Sequence, residues 1–291
     1  MKPFLKWAGG KRQLLPYIKE FINKKNIGDG KYYEPFLGGG SIFFDLGHKN
    51  SIINDYNKEI INTYKVIKKF PEKLIAALKV HAINHSKDYF YQIRALDRDI
   101  ENYNKMDDVL KAARTIYLNR TCYNGLYRVN HSGFFNTPIG KYVNPLICDE
   151  DNIREISKFL NQNKIKITSL DFEIAVESAQ KGDWIYFDPP YDYEDGAGFV
   201  NYVKEGFNHD DLTRLKKVCD QLIEKGCSVL ISNNDTFFVR TLFTSNPNYE
   251  IVYETKTIKA NRNITSKKER KKVEEVLIYG RKEYSAISSS K

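Results

Sequence analysis

Trp184-Ile185-Tyr186-Phe187-Asp188-Pro189-Pro190-Tyr191 is an apolar run closed by a carboxylate, two prolines and an aromatic ring. Four successive apolar or aromatic residues bounded by turn formers read as a buried strand of the kind found inside a parallel sheet. A carboxylate at the carboxyl end of such a strand stands where open α/β sheets build their sites. The prolines stop the hydrogen-bond ladder and fix the backbone, so the Pro189 carbonyl is expected to lack a strand partner. Asp188, the Pro189 carbonyl and the Tyr191 ring then offer two acceptors and a π-face at one point. That set suits a planar group with an amino function, such as a nucleobase.

Outward from this strand the chain alternates. Upstream, Lys31 to Phe36 reads as a strand, Leu37-Gly38-Gly39-Gly40 as a tight turn, and Ser41 as the cap of a short helix through Gly47. Ser51 to Asp55 reads as a second strand ending in an acid. Further strands are predicted at Lys164–Thr168, Ser228–Ser232, Tyr249–Tyr253 and Val273–Tyr279, the last two as an antiparallel hairpin. Helices are predicted at Asp151–Leu160, Phe172–Ala179, Asp210–Lys225 and Phe237–Phe243. Between residues 56 and 145 the rhythm changes to helical spacing alone, at Ile60–Phe70, Glu72–His81, Tyr89–Leu96 and Val109–Asn119. A polar loop, Thr121–Tyr142, follows. The expected fold is α/β, a mostly parallel doubly wound sheet with an inserted, mainly helical domain. Residues 1–55 and 146–291 would form the sheet domain and 56–145 the insert.

The 291 residues are 41% hydrophobic and 29% charged, enough for a sizeable core. The net charge of +9 points to nucleic acid as a partner. Aromatics are plentiful, with 20 Tyr and 17 Phe, and basic residues interleaved with rings suit base stacking. The four cysteines show no C-x-x-C spacing, so neither a zinc site nor a disulfide frame is expected. His81 and His85, four apart on a predicted helix, lack a third ligand, and no metal is expected. No signal peptide or membrane span is expected, which gives a reduced, cytoplasmic protein. No obligate protein partner is evident, and a monomer is expected. Arg262 to Lys272 carries six basic residues and one acid, and reads either as a solvated loop or as a phosphate-binding flap.

The glycine turn after the first strand is neither G-x-G-x-x-G nor a P-loop. Asp55 lies seventeen residues beyond Gly38, near the offset of about 20 at which an acid meets ribose hydroxyls in dinucleotide folds. An adenosine-containing cofactor is therefore expected, and the lack of a phosphate cradle points away from NAD and ATP. Lys6-Trp7-Ala8-Gly9-Gly10-Lys11 adds a flat ring, close backbone approach and cations.

Lys6 to Lys11, Pro35 to Gly40, Asn119 to Arg128, Asp188 to Tyr191, Ser232 to Thr236 and Lys271 to Glu275, in this order, resemble the Dam-type DNA adenine methyltransferases over nearly the whole chain. Many members have Ala at the place of Gly39. The resemblance implies S-adenosylmethionine as methyl donor, with Trp7, Lys11, Phe36, Gly38, Gly40, Asp55 and Asp188 as its contacts. It implies Asp188, Pro189 and Tyr191 as the catalytic set and double-stranded DNA as substrate, with GATC as the site. Lys6 would contact the first guanine, and Leu126, Arg128 and Pro138 would contact bases. Tyr123 is a candidate wedge behind a flipped base, and Asn124 and Arg128 can read base edges. The competing readings are a methyltransferase acting on RNA adenine or protein glutamine, and a DNA-binding relative without catalysis. The first typically has Asn in place of Asp188 and no insert; an intact Asp188–Tyr191 argues against the second.

Overall fold

The computed structural model describes residues 1–7, 14–24, 30–192, 207–244, 250–260 and 273–282. In chain order its elements are α1 (Leu15–Lys24), β1 (Tyr32–Glu34), α2 (Ser41–Leu46), β2 (Asn50–Asn54), α3 (Lys58–Lys69) and α4 (Pro71–Ile83). Then come α5 (Lys87–Ala95), α6 (Ile100–Lys105), α7 (Asp108–Thr121), α8 (Glu150–Gln162), β3 (Lys164–Thr168) and α9 (Phe172–Val176). The chain ends with β4 (Trp184–Phe187), α10 (His209–Glu224), β5 (Ser228–Asn234), α11 (Phe237–Leu242), β6 (Ile251–Ala260) and β7 (Val273–Lys282). The seven strands form a mixed sheet in the order β3-β2-β1-β4-β5-β7-β6. The pairs β2–β3, β1–β4 and β4–β5 are parallel; β7 is antiparallel to β5 and to β6. The α/β class, the mostly parallel sheet and the closing hairpin all agree with the sequence.

Two compact units divide the chain. One comprises Leu14–Pro35, Glu173–Phe199 and Phe207–Lys291. At its centre β4 lies between β1 and β5, and Trp184 to Phe187 are at most 3% exposed. That burial explains the unbroken apolar run: both faces of the strand are covered, so no position can be polar. The helix α10 begins at a capping box in which Asn208 and Asp211 satisfy each other's backbone N–H groups. The helix α1, buried through Ile18 and preceded by the buried Leu14, is not predicted from the sequence. Its Pro16 sits in the first turn, where a missing N–H costs nothing, yet reads as a breaker.

The other unit comprises Met1–Gln13, Phe36–Phe172 and Val200–Gly206. Its helices α3, α5, α7 and α8 start at side-chain caps from Asn57, Ser86, Asp107 and Asp149, and α4 starts with Pro71 in its first turn. The helix α7 packs against α3, α4 and α5 through Ala112, Ala113, Ile116, Tyr117 and Leu118. The short α6, capped by Asp99, carries too few apolar residues to show a period and is missed by sequence. Ser41 is a correction. The cap of α2 is Gly40, at φ 67°, and no side chain bonds the first turn. Ser41 is one residue too late to cap, because the left-handed glycine turn itself delivers the chain into the helix.

Thr121–Tyr142 is more ordered than a polar loop. A 3₁₀ turn at Tyr123–Gly125 leads into a small hairpin closed by the bridges Cys122–Ile139 and Val129–Phe135. Its anchor is distant in sequence. Asp97 Oδ2 accepts from the Phe135 amide at 2.8 Å and pairs with the buried Arg114 at 2.8 Å. Arg98 donates to the Phe135 carbonyl at 2.7 Å. A buried ion pair with this many hydrogen bonds fixes geometry more than it adds stability.

Candidate active site

At the end of β4 the Asp188 carboxylate is oriented by a relay from the neighbouring strand. The Tyr186 hydroxyl lies 2.8 Å from Ser232 Oγ, and Ser232 Oγ donates to Asp188 Oδ1 at 2.9 Å. Ser232 has one proton, given to Asp188, so Tyr186 donates to Ser232. Burial raises the Tyr186 hydroxyl far above its ordinary pKa, which keeps it a donor. Pro189 is buried and Pro190 and Tyr191 are half-buried. The Tyr191 hydroxyl donates to the buried Glu275 on β7 at 3.5 Å. Asp192 is held on all sides: its amide donates to Asn233 Oδ1 at 2.9 Å, Thr236 donates to its Oδ2 at 2.6 Å, and His209 Nε2 lies 3.0 Å from its Oδ1. The tetrapeptide is thus a fixed structure bracketed by the end of β5. Sequence reading places Ser232 at the head of a family-like motif without giving it a role, and it does not single out Asp192. Their signal is faint: Ser232 ends a predicted strand adjacent in space to Asp188, and only strand order reveals that.

In the other unit, the glycine turn and β2 meet at Asp55. The Gly38 amide donates to Asp55 Oδ2 at 2.8 Å and the Asn57 amide to Oδ1 at 2.9 Å. Burial raises the Asp55 carboxyl to about 6, opposed by those two amides. Gly38 has φ 48°, and a Cβ there would lie 2.5 Å from Trp7 Nε1. Only glycine therefore fits beneath the indole. Trp7 in turn stacks on Tyr127 of the hairpin, with centroids 5.8 Å apart. The Phe36 ring lies 5.4 Å from Phe172, and Gly40 opens α2. The exposed Tyr56 follows Asp55 directly, a ring that sequence reading did not single out. Trp7, Phe36, Gly38, Gly40 and Asp55 belong to this unit; Asp188, Pro189 and Tyr191 belong to the other. Lys11 lies outside the described residues, as does the Arg262–Lys272 run.

The hairpin sorts its residues by strand alternation. Tyr127 and Val129 are buried, whereas Arg128 is exposed and Leu126 half-buried. Tyr123, Asn124 and Pro138 are exposed as well. The Tyr123 amide donates to the Pro138 carbonyl at 2.8 Å, so these two residues face each other across the base of the hairpin. Asn124 and Gly125 are both left-handed, at φ 53° and 66°, and Asn is among the few side chains that tolerate this. Arg128 Nε donates to Asn136 Oδ1 at 2.8 Å, and the Asn136 amide donates to the Arg128 carbonyl at 3.0 Å. Asn136, not anticipated from sequence, holds the Arg128 guanidinium. Lys6 lies beside this hairpin, its ammonium 3.3 Å from the Arg120 carbonyl and 3.8 Å from the Tyr142 ring centroid.

His81 and His85 are packing residues. His81 Nδ1 lies 2.7 Å from the Tyr89 hydroxyl and its ring stacks on Tyr117; His85 Nδ1 lies 3.0 Å from the Tyr117 hydroxyl. Burial pushes His81 down to about 4.

The chain is similar to known proteins over most of its length. The chain is 45% identical over 244 residues to the type II methyltransferase M1.LlaDCHI of Lactococcus lactis subsp. cremoris, covering 84% of each protein. It is 41% identical over 249 residues to the type II methyltransferase M.MjaIII of Methanocaldococcus jannaschii, covering 80% of this chain and 84% of that protein. With the DNA adenine methylase of Vibrio cholerae it shares 31% identity over 284 residues, 95% of each chain. The family model of the D12 class N6 adenine-specific DNA methyltransferases matches residues 7–264. The chain belongs to the D12 class N6 adenine-specific DNA methyltransferase family.

Proposed function

We propose that this enzyme methylates the exocyclic amino group of an adenine flipped out of duplex DNA, within GATC, and that it acts as a cytoplasmic monomer. The observation that carries the reading is the Tyr186–Ser232–Asp188 relay, which holds a carboxylate at a strand end for an amino group to donate to. The methyl donor is S-adenosylmethionine. The residues present suit it. Each Asp55 oxygen accepts one backbone amide, and each carboxylate oxygen has a second lone pair to offer a ribose hydroxyl. The glycine turn admits close approach, and Trp7, Phe36 and Gly40 line the same unit.

When bound, S-adenosylmethionine supplies an electrophilic methyl on a sulfonium. Adenine's amino nitrogen is a poor nucleophile because its lone pair is delocalised into the ring, and it is too weak an acid to be deprotonated first. Asp188 and the Pro189 carbonyl accept its two hydrogens and draw the nitrogen towards tetrahedral geometry, which frees the lone pair. Alignment supplies much of the acceleration, and the Asp188 carboxylate stabilises the positive charge that develops on nitrogen; as the N–C bond formed, the C–S bond would break to leave a neutral thioether, and the nitrogen would give up its surplus proton by way of Asp188 to solvent. Tyr191 stacks on the base, its ring turned by Glu275. Ser232→Ala removes the donor that aims Asp188, so kcat should fall about tenfold with KM for DNA little changed. An unchanged kcat would remove Ser232 from the mechanism.

Extrusion of the adenine costs a few kcal/mol. Tyr123, exposed at the hairpin's turn, fills the gap, while Asn124, Leu126, Arg128, Pro138 and Lys6 read the site. Residues 56–145 form the target-recognition module in this reading. The direct test is methyl transfer from labelled S-adenosylmethionine to duplex DNA, RNA and protein, with modified-base sequencing of the DNA. GATC methylated on adenine is the expected product; modification of RNA or protein alone overturns the reading. Arg128→Ala should relax discrimination at one base by about 1–3 kcal/mol. Equal loss on every site would make Arg128 a backbone contact instead.

A further inference from the structure

Asn119, in the last turn of α7, is fully buried and lies outside both the reacting groups and the exposed readers. Its amide is nevertheless shared between the two segments that carry those readers. Asn119 Oδ1 accepts from the Lys6 amide at 2.7 Å, and Asn119 Nδ2 donates to the Lys6 carbonyl at 2.8 Å. This two-point pairing copies what a neighbouring strand would offer residue 6. The same Nδ2 donates to the Gly125 carbonyl at 3.0 Å, at the entry of the hairpin. Asn119 therefore uses three of its four bonding positions to lock the backbone of Lys6 to the backbone of the turn that launches Leu126 and Arg128.

The side chains pack to the same effect. A Cβ on Gly125 would lie 2.4 Å from Lys6 Cβ, so the turn rests directly on the lysine stem. The next residue, Trp7, stacks on Tyr127. The Lys6 ammonium sits at the carboxyl end of α7, where the helix dipole favours a cation, close to the Arg120 carbonyl. Lys6 and Arg128 are far apart in sequence, and both are borne on irregular backbone. Irregular backbone drifts unless something fixes it, and a reader displaced by about an ångström loses its geometry.

We propose that Asn119 is a positioning residue for DNA recognition: it sets the register between Lys6 and the Tyr123–Arg128 hairpin, so that the base read by one and the base read by the other are recognised as a single unit. This rests on the reading of Lys6 and Arg128 as base contacts. It goes further in predicting that one buried side chain, touching no DNA, controls discrimination at two separate bases.

The experiment uses the full-length enzyme and duplexes carrying GATC or its single-base variants, with kcat/KM for methyl transfer measured on each. The readout is the ratio between the intact and the altered site. Such a ratio does not depend on the fraction of enzyme that is folded, so a destabilised variant still reports. Lys6→Ala and Arg128→Ala define which base each reads. Asn119→Asp keeps the acceptor for the Lys6 amide but turns both donated bonds into oxygen–oxygen repulsions; Asn119→Ser removes all three bonds without adding a charge. Both should lower discrimination about tenfold at both bases together. In a Lys6→Ala background, Asn119→Ser should add nothing further at the base that Lys6 reads. Equal losses on every duplex with the ratios unchanged would make Asn119 a structural residue and overturn the proposal, as would a change at one base only. If Lys6→Ala and Arg128→Ala themselves leave all ratios unchanged, the base-contact reading falls, and the coupling falls with it.

Discussion

Asp188→Ala should lower kcat for methyl transfer by about 10³-fold while leaving the thermal midpoint close to that of the parent enzyme. The carboxylate stands beyond the last residue of β4, so the strand's pairing with β1 and β5 does not depend on it. Its loss removes an acceptor for the amino group and the negative charge beside the developing ammonium. Asp188→Asn separates the two contributions. It keeps one acceptor oxygen, supplied as now by Ser232, but loses the charge and replaces the second acceptor with a donor aimed at a donor. A general-base mechanism and an orienting mechanism both predict damage to kcat, and in either Ser232→Ala copies part of it, because either needs the carboxylate aimed. Near-normal turnover by Asp188→Ala would end the scheme outright.

Asp55 should control cofactor affinity, and through it the pH dependence of binding. Asp55→Ala leaves the Gly38 and Asn57 amides without their acceptor as well as removing the ribose contact. An increase of about 100-fold in Kd for S-adenosylmethionine is expected, together with about 1–3 kcal/mol of lost stability. The pH behaviour has two opposite signs. The folded-state carboxyl is raised to about 6, so the folded protein holds this proton more tightly than the unfolded chain does. Stability contributed by that proton is full at low pH and is lost as pH rises towards about 6. Cofactor binding needs the ionised form, because a proton occupies an acceptor position. Affinity should therefore fall as pH drops below about 6, by up to about tenfold per unit. Calorimetric titration of the cofactor between pH 5 and 8 tests this, with Asp55→Asn as the pH-insensitive control. A flat profile in the parent enzyme would remove Asp55 from the cofactor site.

Much of the candidate site is legible because its chemistry is local. The limits of β3 and β4 coincide with the stretches read from sequence: β4 is covered on both faces and apolar throughout, whereas β3, at the sheet edge, alternates, with Ile165 buried between the exposed Lys164 and Lys166. The Gly38 turn and the acid at the end of β2 are legible for a similar reason: a left-handed residue under an indole leaves only glycine, and a carboxylate at a strand end stands out. The hairpin is not legible as a structure. Its order comes from Asp97, Arg98 and Arg114, which lie before it in the chain and meet it only after the helices pack. The roles of Ser232 and Asn119, both in motifs that sequence reading marks, and the residue Asn136 itself escape for the same reason, because each acts on a residue that is distant in sequence or across a turn.

The amino-acid sequence alone determined the strand–helix alternation, the carboxylate, prolines and ring that close β4, and the glycine turn after β1, since each follows from burial, backbone freedom or charge within a few residues. Tertiary structure decided which groups aim those residues. Strand order brought Ser232 to Asp188, helix packing brought Asp97 to Phe135, and the last turn of α7 brought Asn119 to both Lys6 and Gly125. Hydrogen bonds act over about 3 Å whatever the separation in sequence. Only the folded chain sets which residues come that close.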